Sequence, residues 1–294
     1  MEVLLRKKTT ICALVIPGVF ILTAGILFPI IMSVYLSFTD STMGSEAAFV
    51  GIKNYVELFG DENFKVAVLH AIILCAAYLI ILNPIALAFA FLLDKIGGRT
   101  EKILRILFFI PCVISLMVTS KMWLNVLNPT FGMLNKLLTA LGLGKLKQNW
   151  LMDPNLALFS VIFIAMWQLF GWVMIVYYAG VKGIPEELYE AASIDGCSRL
   201  QRVRYIGIPY LKPVIRVNMT LSLINALKEM EIIFLTTNGG PGNRTEFIAT
   251  YLYKTAFKSF RYGYANAISV VFIILCLIAS IFYQRMTANK EDAD

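Results

Sequence analysis

Residues 66–93, VAVLHAIILCAAYLIILNPIALAFAFLL, run without a single Asp, Glu, Lys or Arg. About 20 predominantly apolar residues suffice to carry a helix across the hydrocarbon core of a bilayer. No helix buried in a soluble core needs so long an uncharged run. Working outward, comparable stretches fall at residues 12–37, 104–125, 155–181, 214–236 and 263–284, and the fourth span is free of acids and bases from Pro154 to Val181. The third holds Lys121, and the fifth holds Lys228, Glu229 and Glu231 towards one end.

Composition agrees with this pattern. Of 294 residues, 59% are hydrophobic and 15% charged, whereas an average soluble domain carries about 25% charged residues. A soluble enzyme, a secreted disulfide scaffold and a disordered chain are excluded. Alternating segments of about ten residues are missing, which excludes a barrel. The expectation is an all-α membrane protein of six transmembrane helices, forming one domain over residues 1–294. Cys12, Cys75, Cys112, Cys197 and Cys276 have neither metal-site nor disulfide spacing and read as small apolar residues.

The net charge of +7 is distributed in short segments between apolar runs, not in a basic run interleaved with aromatics, so no nucleic-acid partner is expected. With the N-terminus inside, the cytoplasm receives 15 basic residues: Arg6, Lys7, Lys8, Lys95, Arg99, Lys102, Arg105, Lys182, Arg199, Arg202, Arg204, Lys212, Arg216, Arg285 and Lys290. The outside receives nine: Lys53, Lys65, Lys136, Lys145, Lys147, Arg244, Lys254, Lys258 and Arg261. The excess places both termini in the cytoplasm. Arg6-Lys7-Lys8 and the apolar run after it resemble a signal peptide. The run is too long for one and lacks a small-residue cleavage pattern, so it reads as an uncleaved first span.

The longest cytoplasmic insertion, residues 182–213, reads GIPEELYEAASIDGCS over 183–198 and then RLQRVRYIGIP over 199–209. Pro185 followed by Glu186 and Glu187 is a helix start, because proline pre-sets φ and acids suit the positive end of the dipole. Gly196 ends that helix or permits a sharp bend. A basic amphipathic segment follows and is expected to stop before Pro209. Small Ala191 and Ala192 would admit a partner surface close to the backbone.

Glu190-Ala191-Ala192, then Asp195-Gly196, then Ile206, Ile208 and Pro209 resemble the EAA loop of ATP-binding-cassette (ABC) importer permeases. Leu200 and Val203 stand where that family often has Trp and Phe. Trp123 to Gly132, Asn149-Trp150-Leu151, Trp167, and Thr237-Asn238-Gly239-Gly240-Pro241 before Thr245 are similar to the carbohydrate-type, MalF/UgpA-like members. This resemblance covers almost the whole chain. It implies the type I importer permease fold, in the bacterial cytoplasmic membrane, with the loop containing a coupling helix that docks on an ATPase. The docking residues it implies are Glu186, Glu187, Tyr189, Glu190, Ala191, Ala192, Asp195, Gly196, Ile206 and Pro209. It also implies a second permease subunit as heterodimer partner, two cytoplasmic ATPases holding ATP and Mg, and an extracellular solute-binding protein. No cofactor is expected in this chain.

Polar groups inside a membrane are costly and point to a function or a partner. Gln168 and Trp172 share one helical face, and Ser222, Asn225 and Glu229 share another. Amide, carboxylate and hydroxyl groups match sugar hydroxyls, and an indole plane matches sugar C–H faces. In the maltose-type family the solute-contacting positions fall near these five residues, and Glu229 replaces an amide there. A sugar is therefore the expected cargo, with glycerol phosphate or another non-sugar solute as the alternative. Lys228 and Glu231, at i and i+3, read as an ion pair. Lys121 reads as snorkelling outward, His70 as a hydrogen-bonded helix residue, and Asn83-Pro84 as a kink.

The sequence carries no Gly-rich phosphate loop, no His-Glu-x-x-His and one histidine. Nucleotide hydrolysis and general-base chemistry by this chain are not expected. An ion-coupled secondary transporter would show inverted repeats and helices broken at the midplane, and would have no use for a long docking loop.

Overall fold

The computed structural model describes residues 8–42 and 47–287, with side chains from residue 15. Arg6, Lys7, Lys290 and the side chains of Lys8 and Cys12 lie outside the described residues. In chain order the helices are α1 (Lys8–Leu22), α2 (Phe28–Ser37), α3 (Lys53–Gly60), α4 (Glu62–Ala77), α5 (Asn83–Ile96), α6 (Gly98–Val113), α7 (Leu116–Val126) and α8 (Met133–Ala140). There follow α9 (Ala157–Lys182), α10 (Glu186–Ile194), α11 (Arg199–Arg202), α12 (Ile208–Tyr210), α13 (Lys212–Lys228), α14 (Glu231–Thr236), α15 (Ile248–Phe257) and α16 (Tyr262–Thr287). The sole β pairing among the described residues is an isolated bridge between Thr39 and Phe49.

Among the described residues four stretches are long and apolar enough to cross a membrane: Val15–Ser37, Glu62–Ile96, Ala157–Lys182 and Tyr262–Thr287. The expected third span is instead a bent pair, α6 and α7 meeting at 99°. Ile114 and Ser115 between them are extended, with ψ of 136° and 140°. The expected fifth span, 214–236, is interrupted too: α13 ends at Lys228, Glu229 is extended with ψ of 123°, and α14 begins at Glu231. Broken helices therefore do not separate this chain from an ion-coupled carrier.

Three π turns, Thr23–Leu27, Tyr78–Leu82 and Val203–Gly207, each end two residues before a proline: Pro29, Pro84 and Pro209. Proline has no N–H, and its ring clashes with the carbonyl four residues back. A local i→i+5 widening moves that carbonyl aside. The basic segment after Gly196 consequently passes through Pro209 into α12 instead of stopping before it.

Contacts divide the chain into two compact units. In the first, residues 1–61 with 252–274, the Asn54 amide donates to the carbonyls of Ser37 and Thr39, both at 2.8 Å. Arg261 pairs with Glu57 at 2.7 Å, and the Tyr264 hydroxyl donates to Asp61 at 2.7 Å. Gly263 lies against the Thr39 carbonyl, where any Cβ would collide.

The second unit, 62–251 with 275–294, is organised around α9. This helix packs on α5, α6, α13 and α14. Gly171 makes its contact with α6 close enough that a Cβ would overlap the Phe108 carbonyl and sit 2.8 Å from Phe109 Cα. The two short helices that follow the breaks, α7 and α14, pack against each other.

Candidate functional site

Both breaks open onto one cavity of about 810 Å³ in the second unit. Ile114, Ser115 and Leu116 line it from the first break, and Lys228, Glu229, Met230 and Glu231 from the second. Gln168 and Trp172 of α9, Asn225 of α13 and Tyr78 complete the polar and aromatic wall. Four of the five solute residues expected from sequence are thus brought together.

Ser222 is not brought to this wall. It is 1% exposed, and its hydroxyl accepts from the Asn83 amide at 3.0 Å. The same amide also donates to the Tyr78 carbonyl at 2.8 Å, and the Tyr177 hydroxyl donates to Asn83 Oδ1 at 2.6 Å. This buried cluster satisfies the polar atoms beside the π turn before Pro84. Sharing a helical stripe with Asn225 and Glu229 does not suffice, because the stripe of α13 faces a packed neighbour at one end and the cavity at the other.

Gln168 has a second commitment. Its Nε2 donates to the Ile114 carbonyl at 3.0 Å, and its Oε1 accepts from the Thr119 hydroxyl at 2.7 Å. The amide spans the first break and replaces helix bonds that the extended residues lose. Thr119 is fully buried, so either group left alone would be an unsatisfied polar atom in an apolar setting. Glu229 serves the second break: its Oε1 accepts from the Ile232 N–H at 3.3 Å, capping α14. The expected Lys228–Glu231 ion pair does not form among the described residues. The i,i+3 rule needs a continuous helix, and this one stops between them. Both side chains are exposed on the cavity wall. Lys121 is exposed, and His70 Nδ1 is bonded to the Glu246 carbonyl at 2.8 Å.

The second site is the loop over residues 182–213. Pro185 occupies the N-cap position of α10, with Glu186 and Glu187 in the first turn. At the other end Gly196 has φ of +76°. The Cys197 N–H reaches the Ala192 carbonyl at 2.9 Å, and the Gly196 N–H reaches Ser193 at 3.2 Å. That pair of bonds is a Schellman ending, and it requires the left-handed conformation at Gly196. Ser198 and Gln201 then form a capping box that starts α11. Arg202 ties the two helices together by donating to the Ser193 hydroxyl at 2.8 Å.

Of the expected docking residues, Glu186, Glu187, Glu190, Ala191, Asp195, Gly196 and Pro209 face outward. Ala192 is buried, so it packs inward and offers no surface to a partner; Tyr189 and Ile206 are half-buried. The Tyr189 hydroxyl and the Phe91 ring lie over Gly207, where a Cβ would meet them at 3.3 and 2.8 Å. This anchors the loop to α5. Burial pushes the Tyr189 hydroxyl pKa up, and the Asp94 carboxylate adds to the effect. Ile194 is missing from the expected set although it is 87% exposed, and Leu200 is 78% exposed. Both are apolar side chains left exposed on a loop that is ordered by two caps. Sequence could have flagged Ile194 as an isoleucine one residue before the acid-glycine ending.

Residues 83–289 match the family described as "Binding-protein-dependent transport system inner membrane component". The chain belongs to this family. It is 36% identical over 287 residues to the probable ABC transporter permease protein YurN of Bacillus subtilis, covering 95% of this chain and 98% of that one. It is 29% identical over 281 residues to the trehalose/maltose transport system permease protein MalF of Thermococcus litoralis, covering 95% and 94%. Among solved structures, a chain of a bacterial ABC transporter involved in import of the acidic polysaccharide alginate superposes with a TM-score of 0.84 at 23% identity, covering 96% of each. That likeness establishes the importer-permease fold. The chain is a membrane-embedded permease subunit of an ABC importer.

Proposed function

We propose that this permease passes a sugar, or a related polyhydroxylated solute, through the cavity at the two breaks. The carrying observation is that the two broken helices and α9 converge there with amide, carboxyl, ammonium and indole groups in one wall. The sugar-transport relative supports the cargo class. Gln168, Trp172, Asn225 and Glu229 are the proposed solute-facing residues, and Ser222 supports them from behind.

The single permease domain works in a heterodimer with a second permease, and both chain ends face the cytoplasm. An extracellular binding protein delivers the solute. One of two ATPase subunits grips the loop at Glu186, Glu187, Glu190, Ala191, Asp195, Gly196 and Pro209, with Tyr189, Ala192 and Ile206 holding that surface in place. Closure of the ATPases moves the loop, and Phe91 and Tyr189 relay the movement to α5 as a rigid-body alternation between inward-open and outward-open states.

The test is purification from the membrane followed by reconstitution. Co-isolated ATPase subunits and ATP-driven uptake are the expected result. Glu190→Lys and a bulky residue at Gly196 should uncouple ATP hydrolysis from uptake while leaving membrane insertion intact. Normal transport by both variants, or uptake by this chain alone on an ion gradient, would overturn the reading.

A further inference from the structure

The short helix α3 of the first unit presents three faces. Asn54 and Leu58 are buried and fasten it to the unit. Lys53 and Glu57 are exposed and form a charged face. Ile52, just before the helix, with Val56 and Phe59, forms a third face that is apolar and exposed. Successive residues turn by about 100° around a helix, so each of these sets shares one side. The antiparallel bridge between Thr39 and Phe49 lengthens the apolar face, because it stacks Phe49 on Phe38 with ring centroids 6.3 Å apart. Phe49, Ile52, Val56 and Phe59 are between 63% and 74% exposed. We propose that α3 is an interfacial helix. These four side chains sink into the boundary between headgroups and acyl chains, while Lys53 and Glu57 stay in water.

Level and continuity select the bilayer as the occupant of this face. Asn54 donates to the Ser37 and Thr39 carbonyls at 2.8 Å, and the Tyr55 and Ser37 hydroxyls share a hydrogen bond of 2.6 Å. These bonds pin α3 to the end of the apolar stretch Val15–Ser37. On its other side Glu57 pairs with Arg261, and Asp61 accepts from Tyr264, at the start of the stretch Tyr262–Thr287. Both stretches are long and apolar enough to cross hydrocarbon, so a helix held at their ends lies where hydrocarbon gives way to headgroups. In the orientation proposed above, that is the outer leaflet. Exposed Tyr35, then Phe38 and Phe49, carry apolar surface from the first stretch onto α3. Tyrosines such as Tyr35 and Tyr55 are typical of this depth. A partner that binds and leaves, as the proposed binding protein does, would strand four large apolar side chains in water between encounters.

The experiment uses the assembled transporter in lipid nanodiscs, with its native cysteines replaced and one nitroxide attached at a time. The labelled variants are Phe49→Cys, Ile52→Cys, Val56→Cys, Phe59→Cys and Lys53→Cys. Power saturation compares collisions with oxygen, which enters lipid, and with a water-soluble nickel chelate. The four apolar positions should give an oxygen-to-chelate ratio severalfold above that of Lys53→Cys. Shielding of the four from both reagents would mean that protein, such as the second permease, covers the face, and would overturn the proposal. So would chelate access equal to that of Lys53→Cys. The unmodified complex supplies a second reading that no label can disturb. A phospholipid with a diazirine at the carbonyl end of its acyl chain should attach to residues 49–59. Adducts on the first apolar stretch with none on residues 49–59 would also overturn the proposal.

Discussion

The cavity at the two breaks and the loop over residues 182–213 are built on opposite principles. In the cavity wall two of the polar side chains are partly spent on holding the protein together. Gln168 bridges a broken helix and Glu229 caps the helix after a break, while Ser222, behind the wall, accepts from Asn83. In the loop the internal bonds are made largely by backbone and by Ser193, Ser198, Gln201 and Arg202, which leaves the acids, Ile194 and Leu200 facing outward. A buried polar atom without a partner costs about 1–3 kcal/mol, so a cavity inside a membrane protein must pay for its own irregular backbone first. A loop in water has no such obligation. Substitutions in the two regions should accordingly separate stability from coupling.

The largest loss is expected for Gly171→Val, where the new Cβ overlaps the Phe108 carbonyl at the α6–α9 contact. Overpacking costs about 1–3 kcal/mol or more when backbone must move, and the yield of folded protein from membranes should collapse. If yield and thermal stability stay at wild-type values, the close approach is not there. Gln168→Leu comes next: it orphans the Ile114 carbonyl and the Thr119 hydroxyl, at about 1–3 kcal/mol. Thermal unfolding of the purified protein measures it, and a stable Gln168→Leu would dissolve the distinction between cavity and loop.

Ser222→Ala should cost about 1 kcal/mol, since Asn83 keeps its bonds to Tyr78 and Tyr177. Uptake per folded molecule should be unchanged. A selective fall in solute affinity would instead return Ser222 to the solute wall. Ile194→Ser should be the mildest in stability, within about 0.5 kcal/mol as for an exposed site, yet it should depress the rate of coupled uptake. Wild-type coupling in that variant would remove the outward apolar residue from the docking surface.

Several of these features were legible in the chain itself. Hydropathy located the apolar stretches, because burial in lipid demands a run of apolar residues that no other setting requires. The Pro185 start and the Gly196 ending of α10 were readable because caps obey local rules with few alternatives. The convergence of Gln168, Trp172, Asn225 and Glu229 was partly readable from helical spacing. Its two exceptions came from non-local causes: Ser222 met a partner 139 residues away in sequence, and the Lys228–Glu231 pair presumed a helix that does not continue.

By itself, then, the sequence determined a helical membrane chain and the elbow at Gly196, since both follow from composition and from rules that act within one or two helical turns. Tertiary structure alone decided that two of the expected spans would break and that their breaks would share one cavity. The cause is physical: a helix can surrender its own hydrogen bonds inside a membrane only where another part of the fold, here Gln168 on α9 for the first break, supplies replacements.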